Sequence, residues 1–297
     1  MVTVFLRGGL GNQMFQYALG LNLARRNNIE LRLDTVFLND RFPRKQFTYR
    51  TYDLDVFDIE PKFTALSKIS TTVPIPGVWL GADLALIEAG SILGARRVLK
   101  EKDDGIFDAD VFRATGSNLL LYGFWQSPKY FAGVEKELKN IFTFRQPMQG
   151  EVARLAEEIK NTNAVSLHVR RADYLLAKYQ STYGNTNVRY YTDAIAHIAS
   201  RVQQPKFFIF SDDIAWCREH IRPPFPTAYV DDASKGPKST WHIQLMSLCK
   251  HNIVANSTFS WWSAWLNRNQ GKIVIAPKQW HPGQDRNDIV PEEWVKI

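Results

Sequence analysis

What most constrains this chain is the alternation in its second half, where short apolar runs take turns with ten-residue stretches of helical period. The spacing predicts helices over 151–160, 190–200, 214–220, 240–249 and 257–266. Between them it predicts strands over 165–169, 207–210, 228–230, 253–255 and 273–275. These strands are apolar throughout and not on alternate residues. Such strands are buried on both faces, the mark of a parallel sheet covered by crossover helices. The second half therefore reads as a Rossmann-like α/β domain. The first half opens on the same plan, with a strand over 2–6, a glycine-rich turn over 8–12, a helix over 13–27 and a strand over 31–34. From 39 to 118 the pattern blurs into aromatics, acids and Pro-Gly punctuation, read as short helices and loops. A strand over 119–124 and a helix around 130–140 restore it, and 144–150 is the linker candidate. Two domains follow, 1–147 and 148–297, which suits a chain of 297 residues.

The net charge is +7, with Lys plus Arg at 37 against 30 for Asp plus Glu. That surplus suits an anionic ligand, nucleic acid or an acidic membrane face, and alone does not choose among them. The basic residues are dispersed as pairs (Arg25-Arg26, Arg96-Arg97, Arg170-Arg171) and form no long stripe, so no nucleic-acid partner is expected. Cys217 and Cys249 make no disulfide framework, which points to a reducing compartment. No uninterrupted apolar stretch reaches about 18 residues, so membrane contact is at most peripheral. The first residues lack the basic and apolar segments of a secretory signal, and a cytoplasmic location is the expectation.

The densest chemistry is His168-Val169-Arg170-Arg171-Ala172-Asp173-Tyr174, directly after the apolar run 164–167. In open α/β sheets ligands bind at the carboxyl ends of strands. Two adjacent arginines cannot both enter an apolar core, and a diphosphate suits their forked geometry. The alternative is a structural ion pair of Arg171 with Asp173. Asn256-Ser257-Thr258-Phe259-Ser260 follows another strand and opens a helix. It reads either as a phosphate seat or as an ordinary N-cap. A second anion-binding element, the arginine pair at the end of another strand in the same domain, favours the seat. Gly8-Gly9-Leu10-Gly11-Asn12-Gln13 lies between strand and helix, but its glycines miss the dinucleotide-binding spacing, with Met14 where the last should fall. It is either a purely structural turn or one that presents Asn12 and Gln13 to a polar ligand. Among the acids at later strand ends, Asp213 reads as a helix cap and Asp232 as ligand-facing. Asp53, Asp55, Asp108 and Asp110 read as surface acids, and Cys249 with His251 lacks the spacing of a zinc site. Trp261, Trp262 and Trp265 read as core packing before sugar stacking.

Five blocks then resemble one family in one order. They are Gly-Gly-Leu-Gly-Asn-Gln-Met-Phe-Gln-Tyr-Ala (8–18), Tyr-Gly-Phe-Trp-Gln-Ser-Pro-Lys-Tyr-Phe (122–131), the arginine-pair motif (168–174), Ala-Asn-Ser-Thr-Phe-Ser-Trp-Trp (255–262) and Ile-Ala-Pro-Lys-Gln-Trp (275–280). Over nearly its whole length the chain resembles bacterial α1,2-fucosyltransferases of glycosyltransferase family 11. The resemblance implies an α/β, GT-B-like architecture of two Rossmann-like domains facing a cleft, the first on the acceptor side and the second binding GDP-fucose. It implies inverting transfer from GDP-β-L-fucose to the 2-hydroxyl of a terminal galactose of a glycan, with no metal or other cofactor, as in building a lipopolysaccharide O-antigen. By similarity Arg170 holds the β-phosphate, with Ser257, Thr258 and Ser260 on the same diphosphate and Arg171 and Asn256 beside them. His168 and Asp232 read guanine, Asp173 is either the general base or an orienting group for the arginines, and Gly11, Asn12 and Gln13 border the cleft. Transfer with another linkage is the alternative within this chemistry. Outside it stand an NAD-dependent oxidoreductase, suggested by the glycine turn, and a non-catalytic binder of anionic polymer, suggested by the charge.

Overall fold

The computed structural model describes residues 1–45, 47–171, 187–281, 283 and 287–297. Asp173 lies outside the described residues. The chain divides into two compact units, Met1–Thr143 and Phe144–Ile297.

The first unit is a four-stranded parallel sheet in the order β2-β1-β4-β3. Its strands are β1 (Val2–Phe5), β2 (Leu31–Asp34), β3 (Arg97–Lys100) and β4 (Leu119–Tyr122). The central pair, β1 and β4, is buried almost end to end, as its apolar sequence requires. Helix α1 (Leu10–Asn27) lies so close over β1 that a Cβ on Gly20 would stand 2.4 Å from Val4 Cγ2. The expected turn over 8–12 is shorter than its glycines suggested. Gly8 takes it, at φ +79°, Gly9 caps α1, and Gly11 and Asn12 already belong to the first helical turn. The expected helix at 130–140 is instead a 3-10 turn (Pro128–Phe131) followed by α5 (Glu135–Ile141), broken where Gly133 adopts φ +94°.

The region that blurs in the sequence holds α2 (Val36–Asn39), α3 (Ala65–Thr72), the fifteen-residue α4 (Val78–Ile92) and strand β3. Helix α4 hides from periodicity because it is apolar on nearly every side; only Asp83 and Ile87 are buried. Asp83 hydrogen-bonds the Asp34 carboxyl at the end of β2. Asp34 also accepts from Val36 N, Ser67 Oγ and Thr64 Oγ1, so it is the better-solvated anion and Asp83 carries the shared proton. Burial first, and then the Asp34 charge, pushes Asp83 up to about 7.

The second unit is a six-stranded parallel sheet in the order β10-β9-β8-β5-β6-β7. Its strands are β5 (Asn163–Val169), β6 (Pro205–Ser211), β7 (Thr227–Val230), β8 (His251–Ile253), β9 (Val274–Ala276) and the short β10 (Val295–Lys296). The helices are α6 (Gly150–Lys160), α7 (Val188–Ala199), α8 (Ile214–His220), α9 (Thr240–Leu248) and α10 (Thr258–Leu266). Val165, Leu167, Val169, Phe207 and Ile209 pack with α7 on one face. Ala164, Phe208 and Phe210 pack with α6 and α9 on the other, which is why these strands read as unbroken apolar runs. The exception, Ser166, is fully engaged: Asn252 Nδ2 donates to its hydroxyl at 2.7 Å and to Met246 O at 2.8 Å, while Asn267 Nδ2 donates to Asn252 Oδ1 at 2.7 Å. Strand β8 ends two residues before its expected limit, because the ladder to β9 stops at Ile253 and the chain turns towards α10. Cys217 and Cys249 are both free thiols, one in each of the two cores.

Candidate active site

In the second sheet the chain runs outward from β5 through β6 to β7, then returns to the opposite side of β5 to lay down β8, β9 and β10. The order therefore reverses between β5 and β8. Beyond the carboxyl ends of two such strands the connections diverge and leave a crevice for ligands. The segments leaving these two strands are the arginine pair and the Asn256–Ser260 block, both singled out by sequence. His168, the penultimate residue of β5, meets Phe259 in the first turn of α10 with ring centroids 5.9 Å apart.

His168 is buried at 6 % exposure, and among the described residues its Nδ1 has no hydrogen-bond partner. Burial above all, then the charges of Arg170 and His242, drives its pKa down to about 3. The ring is therefore a neutral hydrogen-bonding group. Tyr191 Oη donates to its backbone carbonyl at 3.2 Å, fixing the strand end.

The two arginines have different surroundings. Arg170 Nη1 pairs with Asp212 Oδ2 at 2.7 Å. Arg171 Nε pairs with Asp213 at 3.2 Å, and its guanidinium lies 3.9 Å from the centroid of the Trp216 ring. Its backbone N–H donates to Asp212 Oδ1 at 2.9 Å. Asp212 thus grips both residues, which sequence reasoning did not assign. The signal was present in Ser211-Asp212-Asp213 at the end of an adjacent apolar run, and the β5–β6 register sets Val169 beside Ser211. Asp213 also caps α8 by accepting from Trp216 N, as expected of it.

At the start of α10, Ser257 occupies the cap position with no side-chain cap hydrogen bond. The first-turn N–H groups and the dipole of a nine-residue helix are thus not closed off by that hydroxyl. Ser260 is buried and donates its hydroxyl back to Ser257 O at 3.2 Å. Asn256 is buried, with Nδ2 donating to Trp280 O at 3.4 Å. Thr258 is the first residue of the helix. Asp232 stands in an exposed 3-10 turn (Asp232–Ser234) and pairs with Lys235 at 2.9 Å. The preceding Asp231 is nearer the site, because His242 Nε2 contacts its carbonyl at 3.2 Å and packs edge-on to Phe210.

The first sheet has its own reversal, between β1 and β4. Asn12 Oδ1 accepts from Gln126 Nε2 at 3.0 Å, linking the segments that leave those strands. Gln13 is corrected in role. It is fully buried, donating to Gly8 O and Thr51 O and accepting from Asp53 N, so it clamps the 51–53 segment onto the Gly8 turn. Gly11 is buried inside α1. The carboxyl end of β3, missed in the sequence, brings Glu101 to accept from Phe124 N and Trp125 N. These bonds hold Trp125 at φ +58°, an unusual backbone conformation for a bulky residue. Among the described residues, no group of three or more His, Cys, Asp or Glu is placed to hold a metal ion, and no helix is long and apolar enough to cross a membrane.

Comparison with known proteins agrees with this architecture. The family model "Glycosyl transferase family 11" matches residues 100–297. An Escherichia coli alpha-1,2-colitosyltransferase is 32% identical over 100% of this chain and 99% of its own length. The Escherichia coli O-antigen biosynthesis glycosyltransferase WbnK is 30% identical over 98% of this chain and 99% of its own. Galactoside alpha-(1,2)-fucosyltransferase 1 of Ateles belzebuth is 29% identical over 50% of this chain and 43% of its own. Among solved structures, Arabidopsis thaliana FUT1, a point mutant in complex with GDP, superposes with a TM-score of 0.52 at 12% identity, covering 92% of this chain and 69% of that one. That similarity concerns the fold, a GT-B-like pairing of Rossmann-like units. With the family model covering the arginine pair and the α10 amino terminus alike, the chain belongs to glycosyl transferase family 11 and is a glycosyltransferase.

Proposed function

We propose that this protein transfers L-fucose from GDP-β-L-fucose to the 2-hydroxyl of a terminal galactose on a glycan, with inversion and without a metal. The observation that carries this reading is the reversal between β5 and β8, which sets Arg170 and the α10 amino terminus on adjacent strand ends. In the reaction the acceptor oxygen bonds to the fucose anomeric carbon as the bond from that carbon to the β-phosphate oxygen breaks. The electron pair leaves on GDP. Arg170 and the N–H groups of Ser257 and Thr258 then face the charge that develops on the diphosphate, the task a divalent cation serves elsewhere. Arg171 and Asn256 shape that seat, and neutral His168 offers its ring nitrogen to the base. Asn12 contacts the acceptor, and Gln13 positions the neighbouring backbone. Asp173 takes the acceptor proton. The full-length colitosyltransferase relative favours one second reading, colitosyl transfer from a GDP donor.

The test is incubation with GDP-fucose or GDP-colitose and a panel of galactosides in EDTA, followed by linkage analysis. An α1,2-fucosylated product at an undiminished rate supports the proposal; colitosyl transfer alone replaces the donor, and dependence on added metal removes the metal-free mechanism. Arg170→Ala should lose about 10²–10³ in kcat with the fold intact.

A further inference from the structure

We propose that the α3–α4 face of the first unit docks on an anionic bilayer surface. All but one of the large apolar side chains exposed among the described residues lie between Phe42 and Leu93; the exception is Val188. On α4 and its end Leu86 is 58%, Ile92 77% and Leu93 80% exposed, and α3 adds Ile69 and Val73. Exposed apolar side chains concentrated on one segment in this way mark a contact site. Ala82, Leu86, Ala89 and Leu93 recur at helical spacing along one stripe of α4.

Two observations choose the occupant. Helix α4 has fifteen residues, about 22 Å at 1.5 Å each, too short to span about 30 Å of hydrocarbon, so a lipid contact lies along the surface. The exposed charge from α3 to β3 is mainly basic, with Lys68, Arg97 and Lys100 set against one exposed acid, Glu88. A symmetric pairing of two copies would set these like charges rim to rim, whereas an anionic headgroup layer complements them. Trp79 is half-buried beside the patch, with Nε1 donating to Val73 O at 2.6 Å, an amphipathic ring suited to the headgroup level.

The test is cosedimentation of the full chain with vesicles of equal phosphatidylglycerol and phosphatidylcholine, and with phosphatidylcholine alone. Expected is binding to the anionic vesicles only, reversed by about 0.5 M salt. The surface variant L86S/I92S/L93S should bind at least about tenfold more weakly, and R97Q/K100Q about tenfold more weakly, each with an unchanged melting temperature. The proposal is overturned if the wild type stays in the supernatant, binds both vesicles equally, or is matched by the apolar variant. It is equally overturned if light scattering finds a dimer that the apolar variant disperses.

Discussion

Arg171 is held by the Asp213 carboxylate, the Trp216 ring and the grip of Asp212 on its backbone, and Arg170 pairs with the same Asp212 at the strand end. Arg171→Leu should cost about 1–2 kcal/mol of stability, read by thermal unfolding, and act on turnover only through the fold. Arg170→Lys keeps the charge but loses the planar fork; melting should be unchanged while kcat falls by at least about tenfold. For His168, with its pKa pressed to about 3, protonation plays no part near neutrality. The pH–rate profile of His168→Asn should therefore keep every wild-type inflection above pH 5, with the change confined to KM for the donor. A limb near pH 6–7 that vanishes in the variant would assign the ring a proton-transfer role instead.

At the scale of elements, Asp83 of α4 faces Asp34 of β2, and burial above all pushes both carboxyls up, favouring a proton on the pair. The pKa of Asp83 is raised in the folded state to about 7 from an ordinary 3.8, so the native state binds the extra proton. The stabilisation is complete below pH 4 and is lost as pH rises through 7. Asp83→Asn can donate to Asp34 without titrating. Its stability relative to wild type should rise between pH 5 and pH 8 by more than about 1 kcal/mol, measured by denaturant unfolding at both values. An equal difference at the two pH values would show that the pair shares no proton. Glu101, pushed up to about 7 mainly by burial, sets the same sign at the end of β3.

Across the whole molecule, legibility in the sequence follows burial. Strands β5 and β6 stand out because both faces are covered and each position is apolar, and the loops that leave them carry charge that no core would accept. Strand β3 is an edge strand with Arg97 and Lys100 exposed, so it resembles loop, and α4 is apolar without a period. Within the candidate site, the motifs gave the residues that follow each strand. They could not give Asp212, whose role exists only because β6 lies beside β5, nor the engagement of Gln13 with a segment nearly forty positions away. An acid after a strand, as Asp232 is, is equally at home in a solvated turn, so its position in sequence does not fix its part.

The two thiols of the second unit lie in opposite cores, Cys217 on α8 in the core packed by α7 and Cys249 at the end of α9 in the core packed by α6 and α9. Alkylating reagents reach neither until the layer above it lifts, so the chain carries a built-in clock for each side of one sheet. Mass-resolved labelling of the untreated protein should tag the two cysteines at separate rates if the layers open independently, and at one rate if the unit opens only as a whole.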